Sequence, residues 1–79
     1  MSLGENIKIY RNIKGLTSEQ LGELAGLHPV TIRKYESNSM VPTIDNLKKL
    51  ANALNIKCSD LDEDLKWNFE FRNKATSKL

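Results

Sequence analysis

The sequence predicts an all-α chain: five short helices, followed by a C-terminal extension of different character. Three observations carry the prediction. Helix-start signatures recur at four places, apolar residues after them repeat at helical spacing, and no alternating apolar run occurs before residue 66. With 79 residues, 39% of them apolar, the chain supports one modest core rather than two. Residues 1–65 are therefore read as one domain and residues 66–79 as an extension of it.

The first helix opens at Ser2, with Glu5 three residues on able to reach back to the cap. Leu3, Ile7 and Tyr10 recur on one face, and Gly15 suits the left-handed stop. Thr17 with Gln20 opens a second helix, whose Leu21, Leu24 and Ala25 are expected inward. The third starts differently. Pro29 occupies its first turn, where a missing N–H is harmless, and the helix is expected to run to about Ser37. Thr43 with Asn46, just after Pro42, opens the fourth, with Ile44, Leu47, Leu50, Ala51 and Leu54 on one stripe. Ser59 with Asp62 is expected to open the last, carrying Leu61 and Leu65.

Only Gly26, Leu27 and His28 separate the second helix from the third. So tight a reversal needs a residue that tolerates positive φ, which Gly26 supplies. It also needs the two helices to approach closely, and Gly22 removes the side chain that would hold them apart. Leu21, Leu27, Ile32 and Tyr35 can then close a small core between them. This is a helix-turn-helix. In a helix starting at Pro29, Ile32, Tyr35 and Glu36 face the core, and Val30, Arg33, Lys34 and Ser37 face away. Arg33 and Lys34 make the outer face positive, suited to phosphates or guanine edges, although charge pairs on a helix are often merely solvated.

Taken in order, LGENIKIYRNIKGLTSEQLGELAGL, TIRKYES and VPTIDNLKKLANALNIKCSDL closely resemble the phage-repressor and Cro-like helix-turn-helix family, also called the XRE family, over roughly residues 3–65. The resemblance implies a five-helix, lambda-repressor-like DNA-binding domain whose third helix enters the major groove. Base-reading positions fall on His28, Pro29, Val30, Thr31, Arg33 and Lys34. Phosphate-contacting positions fall on Ser18 and on Ser37, Asn38, Ser39 and Met40. The resemblance also implies a partly buried ion pair between Arg11 and Glu36. There are departures from the pattern. The family often has Gln at Ser18, Gly at Asn38, and polar side chains at Pro29 and Val30. Asn tolerates the left-handed conformation, and Ser18 still reaches a phosphate, over a shorter distance. Pro29 and Val30 cannot make paired hydrogen bonds to adenine but can pack on thymine methyl groups. His28 stays open between a helix cap and a base contact.

The net charge of +2 and pI near 8.8 are too mild to prove a polyanionic partner. Distribution says more: residues 1–57 hold eight basic and five acidic side chains, and residues 58–79 four and five. A single histidine and a single cysteine, Cys58, cannot build a Cys/His metal cage or a disulfide within the chain, and no cofactor is expected. There is no glycine-rich phosphate loop and no evident catalytic constellation, so neither an enzyme nor a small-molecule substrate is indicated. No apolar run approaches the roughly 20 residues a membrane helix needs and no signal segment opens the chain, so the expected location is the cytoplasm, without a membrane partner.

The expected function is a sequence-specific transcriptional regulator, a repressor, bound to double-stranded DNA. A single recognition helix contacts few base pairs, so a homodimer on a near-palindromic site is expected. The alternative is a protein-interaction module, such as an antitoxin-like partner using the same fold. In Lys66-Trp67-Asn68-Phe69-Glu70-Phe71-Arg72, aromatic and polar residues alternate, a strand pattern. Trp67, Phe69 and Phe71, three of only five aromatics, would make an apolar face, and a lone strand has free edges that invite another chain. Residues 66–72 are read as a dimerisation strand. The alternatives are an extension of the last helix and the start of a second domain.

Overall fold

The computed structural model describes residues 2–61, which form five helices: α1 (Leu3–Ile13), α2 (Ser18–Ala25), α3 (Pro29–Glu36), α4 (Ile44–Leu54) and α5 (Cys58–Leu61). No strand occurs among these residues, and none of their helices is long and apolar enough to cross a membrane. Leu65 and the whole of residues 66–72 lie outside the described part of the chain.

Local chemistry starts each of the helices. The hydroxyls of Ser2, Thr17 and Thr43 accept the backbone N–H groups of Glu5, Gln20 and Asn46, satisfying donors that the first turn leaves over. At α2 the box is reciprocal, since Gln20 Oε1 also accepts the Thr17 N–H at 2.9 Å. α5 begins at Cys58, two residues earlier than a cap at Ser59 would place it. Asp60 Oδ2 reaches back to the Lys57 N–H at 2.9 Å, so this carboxylate sets the start and Ser59 falls inside the first turn.

The helices close one core of Ile7, Leu21, Ala25, Ile32, Tyr35, Leu47, Leu50, Ala51, Leu54 and Leu61. α2 packs on both α3 and α4, α1 packs on α3, and α5 bridges α1 and α4. Two expected core positions differ. Leu24 is 61% exposed, because α2 turns its Leu21–Gly22–Ala25 stripe inward and Leu24 lies off that stripe. Ile44, in the first turn of α4, is also exposed at the edge of its stripe, which becomes fully buried only from Leu47 onward. Two polar contacts seal the packing. Asn6 Nδ2 donates to the Leu61 carbonyl at 2.7 Å, and Asn46 Nδ2 donates to the Tyr35 hydroxyl at 3.0 Å.

Candidate nucleic-acid interface

The geometry of the candidate interface begins at the turn between α2 and α3. Gly26 ends α2 at φ 71°, a left-handed value that most side chains disfavour, and both Gly26 and Leu27 donate their N–H groups to the Gly22 carbonyl. A Cβ on Gly22 would stand 2.5 Å from the Leu27 carbonyl oxygen, so any side chain there would force the turn open. His28 then caps α3. Its Nδ1 accepts the Val30 N–H at 3.1 Å, which assigns the proton of the neutral ring to Nε2 and leaves that N–H as a donor at the exposed tip.

Because Ile32 and Tyr35 are anchored in the core, the opposite face of α3 is fixed in direction. Val30, Arg33, Lys34 and Ser37 lie on it, exposed, with Thr31 and Pro29 half-buried at its margins. Ser18, half-buried, occupies the first position of α2. Arg33 does not stand alone: its Nη1 donates to Glu19 Oε1 at 3.1 Å, across from α3 to the first turn of α2. The Glu19 carboxyl is held below its ordinary value first by its own backbone N–H and then by the Arg33 hydrogen bond.

The loop after α3 folds back on the Lys34 carbonyl, which accepts from the Ser37 hydroxyl and from the N–H groups of Ser39 and Met40. Ser37 and Ser39 share a hydroxyl–hydroxyl hydrogen bond of 2.8 Å. Asn38 takes the left-handed conformation at φ 63° and ties the loop to α1. Its Oδ1 accepts the Gly4 N–H at 3.2 Å, and its Nδ2 donates to Ser2 Oγ at 3.1 Å. Beneath the loop, Arg11 clamps Glu36 through two hydrogen bonds, Nε to Oε2 at 2.7 Å and Nη2 to Oε1 at 3.0 Å. The side chains are 13% and 9% exposed, and Arg11 Nη1 also donates to the Leu16 carbonyl at 2.8 Å. The Glu36 hydrogen bond raises the Arg11 pKa beyond its ordinary value, favouring further a guanidinium that is charged in any case.

This arrangement of two capped helices, a glycine turn and an outward polar face coincides with a known family, whose description is helix-turn-helix and whose pattern matches residues 7–61. The chain belongs to the XRE-like helix-turn-helix family. It is 45% identical over 53 residues to the control protein C.SmaI of Serratia marcescens, a match covering 67% of the chain but only 63% of that relative's length. Among solved structures it is similar to the restriction-modification controller protein C.AhdI from Aeromonas hydrophila. That likeness has a TM-score of 0.73 and 32% identity, over 75% of this chain and 89% of the other. It is also similar to the P22 c2 repressor protein, solved in complex with a synthetic operator, at TM-score 0.74 and 28% identity over 77% and 92% of the two chains.

Within the helix-turn-helix, the fold brings Ser18, His28, Val30, Thr31, Arg33 and Lys34 to adjoining parts of α2 and α3. Ser37, Asn38, Ser39 and Met40 follow in the loop at the end of α3. Asn38, expected at a phosphate-contacting position, also fastens the loop, with Oδ1 taken by the Gly4 N–H and one N–H of Nδ2 given to Ser2. His28 is the cap of α3, and its other ring nitrogen is not used by that bond. Two residues of this region were not anticipated. Glu19 carries no local signal, since its partner is 14 positions away. Gly4 does carry one: a poor helix former placed inside the first turn marks a close approach, and a Cβ there would collide with the carbonyls of Tyr35 and Glu36. Among the described residues no cluster of His, Cys, Asp or Glu could hold a metal ion.

Proposed function

We propose that the protein is a sequence-specific transcriptional regulator, a repressor that inserts α3 into the DNA major groove as one half of a homodimer. The observation that carries this reading is the outer face of α3, held outward by the burial of Ile32 and Tyr35 and furnished with Val30, Arg33 and Lys34. An apolar side chain beside two cations suits a groove in which thymine methyl groups adjoin guanine acceptors and phosphates. Similarity to the P22 c2 repressor, whose structure is described with an operator, supports DNA as the partner, and likeness to two control proteins supports regulation as the role.

Selection of bound duplexes from a random pool tests this reading. The expected consensus has two related half-sites, their centres about 34–36 Å apart, bound with an affinity that falls steeply as salt rises. A pool without enrichment, together with salt-insensitive binding to another protein, would instead establish the interaction-module alternative.

A further inference from the structure

Glu19 is out of place on a surface meant to approach a polyanion. Its side chain is 66% exposed, it adjoins Ser18 at the start of α2, and a bare carboxylate there would repel phosphates. It is not bare, because Arg33 pairs with it. An ion pair this exposed adds little to folding stability, so stability does not account for the placement. Its effect falls on Arg33. An arginine side chain has much rotamer freedom to lose when it is ordered, and this one already has one terminal nitrogen tethered to α2. Nε and Nη2 make no other hydrogen bond among the described residues, and together they form the side edge of the donor fork.

We propose that Glu19 is a specificity-determining positioning residue: its carboxylate holds Arg33 by Nη1, so that the Nε and Nη2 edge is presented to a guanine rather than to the DNA backbone. The inference rests on α3 entering the major groove. In the complex the Glu19–Arg33 pair persists, neutralising the carboxylate and restricting the guanidinium to orientations that can reach a base edge.

The test uses the full chain, its selected operator and operator variants carrying one substituted base pair each, in equilibrium competition. Arg33→Ala first identifies the base pair that Arg33 reads, as the position where preference falls most. At that pair, Glu19→Gln is expected to reduce preference about two- to fivefold, the range an exposed ion pair can supply. The same variant should bind unrelated duplexes more tightly, since a negative charge has been removed. Glu19→Asp keeps the charge but shortens the reach. It should lose the preference without that general gain. In the Arg33→Ala background, Glu19→Gln should leave discrimination unchanged. Unaltered preference in Glu19→Gln, or an equal loss without Arg33, overturns the inference. Binding of no duplex by the wild-type chain overturns the DNA-binding reading, and this one with it.

Discussion

Arg11 and Glu36 show how much a single pair of side chains can be asked to hold. The guanidinium joins α1, the end of α3 and the Leu16 carbonyl of the first loop, so removal of either partner strands a charge that is nearly out of water. Glu36→Gln and Arg11→Met are each expected to lower unfolding free energy by about 3 kcal/mol, read from urea denaturation midpoints. Shifts no larger than those of ordinary surface substitutions would contradict the packing of α1 on α3. Arg33 and Lys34 belong to the opposite regime, exposed side chains whose removal should alter stability little. Arg33→Ala and Lys34→Ala should shift the thermal midpoint only slightly while weakening operator binding. Arg33→Ala should cost about 1–3 kcal/mol at one base position, and Lys34→Ala should weaken all sequences alike with a shallower salt slope. Glu19 adds a check by titration. Because its carboxyl is depressed, the contribution of the Arg33 pair is present above the unfolded-state pKa and is lost as pH falls through the lower folded value. Carbon-detected NMR of the Glu19 carboxyl should titrate below an ordinary glutamate. Arg33→Ala should raise it only part of the way, since the backbone N–H of Glu19 is the larger cause.

The helices owe their limits to caps and their spacing to two glycines. Ala normally improves a helix over Gly by about 1 kcal/mol, so propensity alone would make Gly4→Ala stabilising. The fold reverses that sign. A Cβ at position 4 meets two main-chain carbonyls, of Tyr35 and Glu36, which cannot move without shifting α3 against α1. Gly4→Ala should therefore destabilise by about 2 kcal/mol in chemical denaturation. The two left-handed asparagines make a matched comparison. Asn38 and Asn55 adopt φ 63° and 58°, yet among the described residues only Asn38 uses its side-chain amide, on Gly4 of α1 and on its cap Ser2. Replacement by glycine relieves the same backbone strain at both positions. Asn38→Gly should consequently be worse than Asn55→Gly by about 1–2 kcal/mol, the worth of two hydrogen bonds. Equal effects would mean that the loop is not fastened to α1.

At the scale of the molecule, the described fold closes on itself at Leu61, which is buried in the core and whose carbonyl is taken by Asn6. Residues 66–72 lie outside the described residues, and their removal tests the dimerisation reading. If Trp67, Phe69 and Phe71 pair two protomers, a chain ending at Leu65 should sediment as a folded monomer. Its operator binding should fall sharply, because two half-sites are no longer engaged together. A dimer unchanged by the truncation would assign assembly to another surface.

Much of the fold was legible in the sequence because its determinants are local. Ser2, Thr17 and Thr43 each cap a backbone N–H three residues away, and Gly26 allows the turn by its own φ, so neighbours within four positions decide where these helices begin and end. The Arg11–Glu36 pair was legible only through family resemblance, since nothing local announces a partner 25 residues away. What the tertiary structure alone decided are contacts between distant positions. Asn38 turns to α1 across 34 residues, Glu19 meets Arg33 across 14, and Leu24 is left in solvent by the direction in which α2 presents Gly22. Each depends on how two helices cross, and crossing is set by the packing of the whole core rather than by any short stretch of chain.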